Sequence, residues 1–492
     1  MASISVYRQS ANSTLRENVA DLHSRRRSYA ASTTFAFKSS FLGKRPLFLH
    51  SARKTLARPG LGSADYSHSN PITASCHTFD VVIIGAGIIG LTIARQLLVG
   101  SDLSVAVVDK AVPCSGATGA GQGYIWMVHK TPGSDTWDLT MRSHKLWKML
   151  AEHINDQGLN PLQVLGWKKT GSLLIGRTAE ELVVLKERVK QLSEAGLRAE
   201  YLSSSDLLLE EPALLVSEDS GAAFLPDDCQ LDAACTVAYI EKVNRHFASK
   251  GRYAEFYHDP VMCLLRSSST GEVEGIQTSK NTLYGKKAIV VAAGCWSGSL
   301  MHDLLREEDI VLDVPVKPRK GHLLVLENFK SLKLNHGSME MGYVSHQDLT
   351  LCSGLADHGK NLSISMTAST DIAGNLVLGS SRQFAGFNTE VDESIIDRIW
   401  ARAAEFFPKL RNLSLTDFIK DRKVRVGLRP YMPDGKPVIG PVPGLSNLFL
   451  AAGHEGGGLS MALGTAEMVA DMVLQNSLKV DSAPFSVQGR CC

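Results

Sequence analysis

Phe79-Asp80-Val81-Val82-Ile83-Ile84 runs into Gly85-Ala86-Gly87-Ile88-Ile89-Gly90 and continues as Leu91-Thr92-Ile93-Ala94-Arg95-Gln96-Leu97-Leu98. A β-branched apolar run, a glycine turn and an amphipathic stretch in that order predict strand, tight turn and helix. A second apolar run, Val105-Ala106-Val107-Val108, closes on Asp109 and Lys110. In this context the glycine pattern reads as a dinucleotide-binding turn. Gly85 permits the turn, Gly87 lets the backbone approach a pyrophosphate, and Gly90 lets the helix pack closely on the strand. Across Ala86, Ile88 and Ile89 the helix N-terminus offers free N–H groups, and Asp109 is placed to accept hydrogen bonds from ribose hydroxyls.

The rest of the composition bounds this reading. The chain has 492 residues with 44% apolar content, enough for two or three domains with their own core. Its nine cysteines, Cys76, Cys114, Cys229, Cys235, Cys263, Cys295, Cys352, Cys491 and Cys492, are scattered and form no C-x-x-C. Neither a zinc site nor a secreted disulfide framework is indicated, and a reducing compartment fits. No uninterrupted apolar run reaches about 18 residues, so no transmembrane segment is expected.

Charge is unevenly placed. Residues 1–75 hold eleven Lys and Arg, including Arg25-Arg26-Arg27, against Glu17, Asp21 and Asp65. That surplus of eight leaves the remainder at −6 within an overall +2. A Ser-rich, acid-poor leader without an apolar core reads as an organelle transit peptide, for a plastid or, alternatively, a mitochondrion. The acidic remainder argues against nucleic acid as a partner.

Beyond Asp109, the loop Ser115-Gly116-Ala117-Thr118-Gly119-Ala120-Gly121-Gln122-Gly123 consists almost entirely of small residues, which implies something large lying close to the backbone. Helices are predicted over 135–154, 180–195, 232–248 and 296–305, and strands over 171–176 and 287–291. The segment 311–420 carries alternating runs typical of antiparallel strands. Leu448 to Ala452 is a further strand, running through Gly453-His454-Glu455-Gly456-Gly457-Gly458 into a helix that ends near Val473. The expected fold is α/β: a Rossmann-like domain built from 78–124, 232–306 and 424–476, with a β-rich α+β domain from 125–231 and 307–423. Residues 477–492 form a tail.

Five motifs in this order resemble the FAD-dependent oxidoreductases of the D-amino-acid oxidase, glycine oxidase and sarcosine oxidase type. They are G-A-G-I-I-G, A-T-G-A-G-Q-G, A-A-G-C-W-S, G-L-R-P-Y-M-P-D-G-K-P-V-I-G and G-H-E-G-G-G-L, spread over residues 78–476. The resemblance implies an FAD domain woven from separated segments and a substrate domain built on a sheet. It assigns the pyrophosphate turn to Gly85, Gly87 and Gly90 and the ribose to Asp109, where the family more often has Glu. It places Ala117, Thr118, Gly119, Gln122 and Gly123 along the flavin and pyrophosphate. Val261 takes the position that meets the adenine, and Ala293, Gly294 and Trp296 close over the dinucleotide.

A flavin that accepts a hydride must hold negative charge. Gly453, Gly456, Gly457, Gly458 and Leu459 supply backbone N–H groups and a helix N-terminus for that purpose. His454 is a candidate flavin neighbour, with a purely structural role as the other reading. Glu455 departs from glycine oxidase, which has an Arg-bearing turn here. Arg429, in G-L-R-P, matches a family position whose guanidinium pairs with a substrate carboxylate. Lys320 reads as a turn residue, while Tyr431, Gln383 and Phe384 are further pocket candidates. No cysteine lies between Asp421 and His454, so the FAD is expected to be noncovalent. No metal site is evident, consistent with chemistry carried by the cofactor.

The resulting expectation is oxidation of the C–N bond of a small carboxylate-bearing amino or imino acid, with oxygen or another acceptor. Oxidation of a 2-hydroxy acid, an FAD-binding assembly factor for an organellar complex, and an NAD-dependent enzyme are the alternatives.

Overall fold

The computed structural model describes residues 75–306, 312–344 and 362–491. The leader expected at 1–75 lies outside these residues apart from Ser75, which already belongs to the first strand, Ser75–Ile84. The glycine turn follows, then the helix Ile88–Gly100 and the strand Val105–Val108, as the sequence predicts.

Val81 to Ile84 pair in parallel with Val105 to Val108 on one side and with Ala288 to Val291 on the other. The strand Asn281–Val291 is longer than predicted, and its two halves have different outer neighbours. Its first half pairs antiparallel with Val273–Thr278 and its second half parallel with Leu445–Ala452. The glycine-ended strands near 79, 288 and 448 therefore share one eight-stranded sheet, and their C-terminal ends open on one edge. In such a sheet, ligands bind outside the carboxyl ends of the strands.

The helix Gly458–Leu474 lies against Ile88–Gly100 and covers this sheet. Leu91, Ala94, Ala462, Ala466 and Val469 are fully buried there, each large apolar side chain contributing ~1.5–3 kcal/mol. Trp137–Asp156 packs on the same helix, where Trp147 Nε1 donates to the Leu459 carbonyl at 3.0 Å and Arg142 pairs with Glu467 at 2.6 Å.

The second sheet also has eight strands and is largely antiparallel. From its edge inward it runs Arg422–Tyr431, Lys317–Leu326, Leu376–Arg382, Ser363–Thr370, Gly337–Glu340, Ser172–Gly176, Gly221–Leu225 and Glu200–Leu202. The boundary expected at 424 thus falls inside a strand of the second sheet. Ten consecutive pairs from Lys317↔Tyr431 to Leu326↔Arg422 bind Arg422–Tyr431 there. The β-rich segment, in which no helix is located from the sequence, also contains the helix Glu393–Phe406, whose Ile395, Ile396, Ile399, Trp400, Ala403 and Phe406 pack against this sheet. The described residues form one compact unit. None of the seven described cysteines is in a disulfide, and no helix among the described residues is long and apolar enough to cross a membrane.

Candidate active site

A cleft of about 570 Å³ opens at the carboxyl ends of the first sheet and reaches the second. Its floor is the glycine turn. Gly85 sits at φ +118°, and a Cβ there would lie 2.3 Å from the Ala292 carbonyl oxygen, so this position accepts only glycine. The Thr118 hydroxyl accepts from the Ile88 N–H at 3.2 Å, and Ile88 and Ile89, whose N–H groups belong to the first helical turn, line the cleft. Asp109 fastens the turn to the second strand: Oδ2 accepts from Ala86 N–H and Oδ1 from Ala111 N–H, each at 2.7 Å. Each oxygen keeps a further lone pair for a ribose hydroxyl.

Gly85, Ala86, Gly87, Ile88, Ile89, Asp109, Lys110, Ala117, Thr118, Val261, Ala293, Gly294, Trp296, Arg429, His454, Gly456, Gly458 and Leu459 all line this cleft. Six sequence candidates lie elsewhere. Gly90 faces the Gly85 carbonyl, Gly123 the Leu231 carbonyl, Gly453 the Met432 side chain and Gly457 the Met461 side chain. These four are packing positions. Gly119 and Gln122 line a second, smaller cavity with Lys168, Asp371 and Arg425.

One wall is aromatic. The Lys110 ammonium lies 3.8 Å above the Trp296 ring, which stacks on Phe387 at 5.9 Å. The opposite end is the turn after Leu445–Ala452. His454 is 3% exposed, and its Nε2 meets the Thr465 hydroxyl at 3.0 Å. Burial pulls its pKa down to about 3, so the ring is neutral at physiological pH.

Glu455 holds a left-handed backbone at φ +45°, a conformation that costs a non-glycine residue of order 1–3 kcal/mol. Its carboxylate is surrounded by arginines. Burial alone raises its pKa, but Arg429, Arg319 and Arg382, with the Gly456 N–H, outweigh burial and hold it ionised. Arg319 Nη1 lies 3.5 Å from Glu455 Oε1. Burial, Arg382 and Arg429 depress the Arg319 pKa, against the pull of Glu455.

The second sheet presents these cations. Arg319 and Arg429 are direct partners on adjacent strands, and two residues along the pairing are Gly321 and Gly427. The Arg429 guanidinium occupies the space that a side chain at 321 would need: a Cβ there would sit 2.2 Å from Arg429 Nη1. Nη1 donates to the Ser381 carbonyl at 3.0 Å. Tyr431 and Phe384 pack edge to face at 5.1 Å and flank Arg319 at 5.2 and 5.8 Å. Lys320, expected at a turn, is instead buried within a strand and donates to Asn388 Oδ1 at 2.8 Å; the neighbouring Arg319 takes the site-facing position. Gln383 contributes only its backbone, pairing with Lys320. Arg382 is absent from the sequence candidates. It lies beside Gln383 and Phe384, which were noticed, yet nothing in its local pattern marks it as buried.

The FAD dependent oxidoreductase (DAO) family matches residues 80–472. The chain belongs to this family. Glycine oxidase of Geobacillus kaustophilus (strain HTA426) is 25% identical over 414 residues, covering 84% of this chain and 97% of the relative. The crystal structure of glycine oxidase from Geobacillus kaustophilus superposes with a TM-score of 0.68 at 23% identity, covering 84% of this chain and 99% of that one. Iminodiacetate oxidase (IdaA) from Chelativorans sp. BNC1 gives 0.65 at 21% identity, covering 82% and 98%. The protein is therefore an FAD-dependent oxidoreductase of the glycine and amino-acid oxidase type.

The cleft fits that cofactor. Its volume lies within the range of cofactor sites. The positions a Cβ would occupy at Gly294 and Gly456 have no neighbour closer than 3.7 Å, which leaves backbone open to a flat ring system. Ala86, Gly87 and Thr118 would hold the pyrophosphate, Asp109 the ribose, and the turn from His454 to Gly458 the flavin end.

Proposed function

We propose that this protein oxidises the C–N bond of a small amino or imino acid whose carboxylate pairs with Arg429. The observation that carries this reading is the position of that guanidinium. It lines the cleft beside the Glu455–Gly456 turn, with Nη1 fixed on the Ser381 carbonyl and its remaining donors available. A planar fork fixes both the charge and the orientation of a carboxylate. FAD bound in the cleft supplies the hydride acceptor.

The amine must be neutral to release a hydride. Glu455, ionised beside Arg429, accepts the amine's N–H bonds and orients its lone pair, while the Arg cluster keeps the acid group from drifting toward the turn. The neutral His454 takes no part in proton transfer and props the turn through Thr465. The thiols nearest the cleft, Cys114 and Cys295, are pushed up by burial to about 11 and about 12. Held protonated, they are poor nucleophiles, which supports noncovalent FAD.

Anaerobic mixing with D-amino acids, N-methyl amino acids and 2-hydroxy acids tests the reading. Bleaching of the flavin absorbance by at least one amine is the expected result. Inert amines alongside a hydroxy acid that bleaches would overturn it. If instead R429A restores a deletion strain fully, an assembly role replaces catalysis. The basic Ser-rich leader supports plastid import, and fusing residues 1–75 to a fluorescent protein tests this against a mitochondrial address.

A further inference from the structure

Arg382 is 1% exposed, yet neither Nη1 nor Nη2 has a hydrogen-bond partner among the described residues. Its guanidinium carbon lies over the Tyr343 ring, 4.0 Å from the centroid. A buried guanidinium with both arms unpaired is costly unless an anion completes it. We propose that the substrate carries a second acidic group and that Arg382 receives it, so that the substrate class is amino or imino dicarboxylic acids. This rests on the oxidation proposed for the same site.

The geometry places the two forks at one locus. Arg429 Nη1 bonds the carbonyl of Ser381, the residue preceding Arg382. The Tyr343 hydroxyl and Arg429 Cδ lie 3.7 and 4.0 Å from the position a Cβ would take on Gly456, and Arg382 stacks on that same tyrosine. Arg429, Glu455 and Gly456 thus line the end of the cleft, Tyr343 stands next to Gly456, and Arg382 lies behind it against that tyrosine.

Charge balance points the same way. Arg319, Arg382 and Arg429 face one carboxylate, Glu455, which is already shared with Arg319 at 3.5 Å and with the Gly456 N–H. Among these four described groups two positive charges remain, and Lys130, its pKa lowered to about 8 by burial against the pull of Glu455, adds to the positive side. The α-carboxylate of a monoacid on Arg429 cancels one and leaves Arg382 uncompensated in a buried setting. A second carboxylate on Arg382 cancels the other with the amine neutral, which is the state from which a hydride leaves. Each guanidinium then has a planar anion matched to its fork.

The test uses the flavin-loaded protein and ligands that cannot be oxidised at carbon–nitrogen bonds. Isothermal titration compares butyrate with succinate, and valerate with glutarate, alongside the shift in flavin absorbance that each causes. The diacid is expected to bind about 10-fold tighter or more than the monoacid of equal carbon number. In R382M the two affinities are expected to fall within about 2-fold of each other, as the loss of one charge-assisted pair requires. Equal affinities in the unmodified protein, or a diacid preference that survives R382M, would overturn the proposal. If R382M loses its flavin, the ligand pairs in the unmodified protein decide alone. Turnover follows with D-aspartate against D-asparagine and iminodiacetate against glycine. A diacid binding preference without oxidation of any amine would sink the oxidation reading and leave the second anion site standing. Oxidation without diacid preference would do the reverse.

Discussion

The cofactor cleft and the arginine cluster meet at Arg429 and Glu455, but they are made differently. The cleft is a backbone structure, with N–H groups at a helix end, carbonyls at strand ends and glycines where a side chain would collide. The cluster is a side-chain structure, with three guanidiniums brought from three strands onto one glutamate. Backbone sites follow from local conformation and tolerate little substitution. Side-chain sites follow from sheet pairing between distant segments, and they can be retuned one residue at a time.

Substitutions that act on one region and spare the other would sharpen this contrast. The largest effect is expected from Gly85→Val, which forces a branched side chain into the 2.3 Å gap at Ala292 with φ +118°. Flavin recovered by acid from the purified protein should fall to roughly a tenth or less of its normal ratio, the consequence of several kcal/mol of strain. Full flavin content would break the idea that the cleft is backbone-built. Next comes Arg429→Ala. It should keep its flavin yet lose about 100-fold or more in kcat/KM on a carboxylate substrate, as removal of a charge-assisted fork in a low-dielectric site predicts. Flavin loss in this variant would merge the two regions into one.

His454 lies at their junction and gives a pH effect. Its folded pKa, about 3, is below the unfolded value of 6.5. Below pH 6.5 the unfolded chain takes a proton that the folded chain refuses, so stability falls as pH drops from 6.5 toward 3. At pH 5 the loss is ~2 kcal/mol from this residue, by linkage. Denaturant midpoints across that range measure it, and His454→Asn should flatten the slope. A slope unchanged in the variant would assign it to other groups.

Gly321→Ala moves the Arg429 guanidinium without deleting it. KM should rise about 10-fold with flavin content preserved, because the guanidinium is shifted rather than removed, a smaller loss than the ~100-fold that a full 1 Å misplacement can cost. The smallest effect belongs to Lys110→Ala, which removes the cation over Trp296 at 3.8 Å. Flavin affinity should weaken about 3-fold, the value of a partly exposed cation–π contact, as read by fluorescence on reconstitution.

The same contrast explains what could be read from the chain. Phe79 to Leu98 and Val105 to Asp109 were legible because strand, turn and helix are each specified within a few residues. Trp296, Val261 and most of the 454–459 turn, Gly457 excepted, followed from the family resemblance and line the cleft. Gly119 and Gln122 belong to a small-residue loop of which Ala117, Thr118 and Gly121 line the cleft, but these two face the smaller cavity instead. Arg382 was not legible for a definite reason. All seven residues of Leu376–Arg382 are buried, on both faces of the sheet, so alternation cannot mark Arg382 as facing inward. Lys320 was misread because its run is broken by glycine and charge, which mimics a turn until Arg422–Tyr431 is seen beside it. The helix Glu393–Phe406 had a usable signal: its six buried apolar residues recur at helical spacing within a segment read only for period two.

The divided strand Asn281–Val291 bears on how the molecule is made. Ile289, Val290 and Val291 wait for Leu448, Phe449 and Leu450, which are synthesised long after them. Until those emerge, a nascent chain displays an apolar strand edge with open backbone groups, the form of surface most prone to pair with other chains. A premature stop or a proteolytic cut between 431 and 445 would therefore yield an aggregating polypeptide and no flavin-retaining fragment, so the colour of the protein reports that translation passed Leu450.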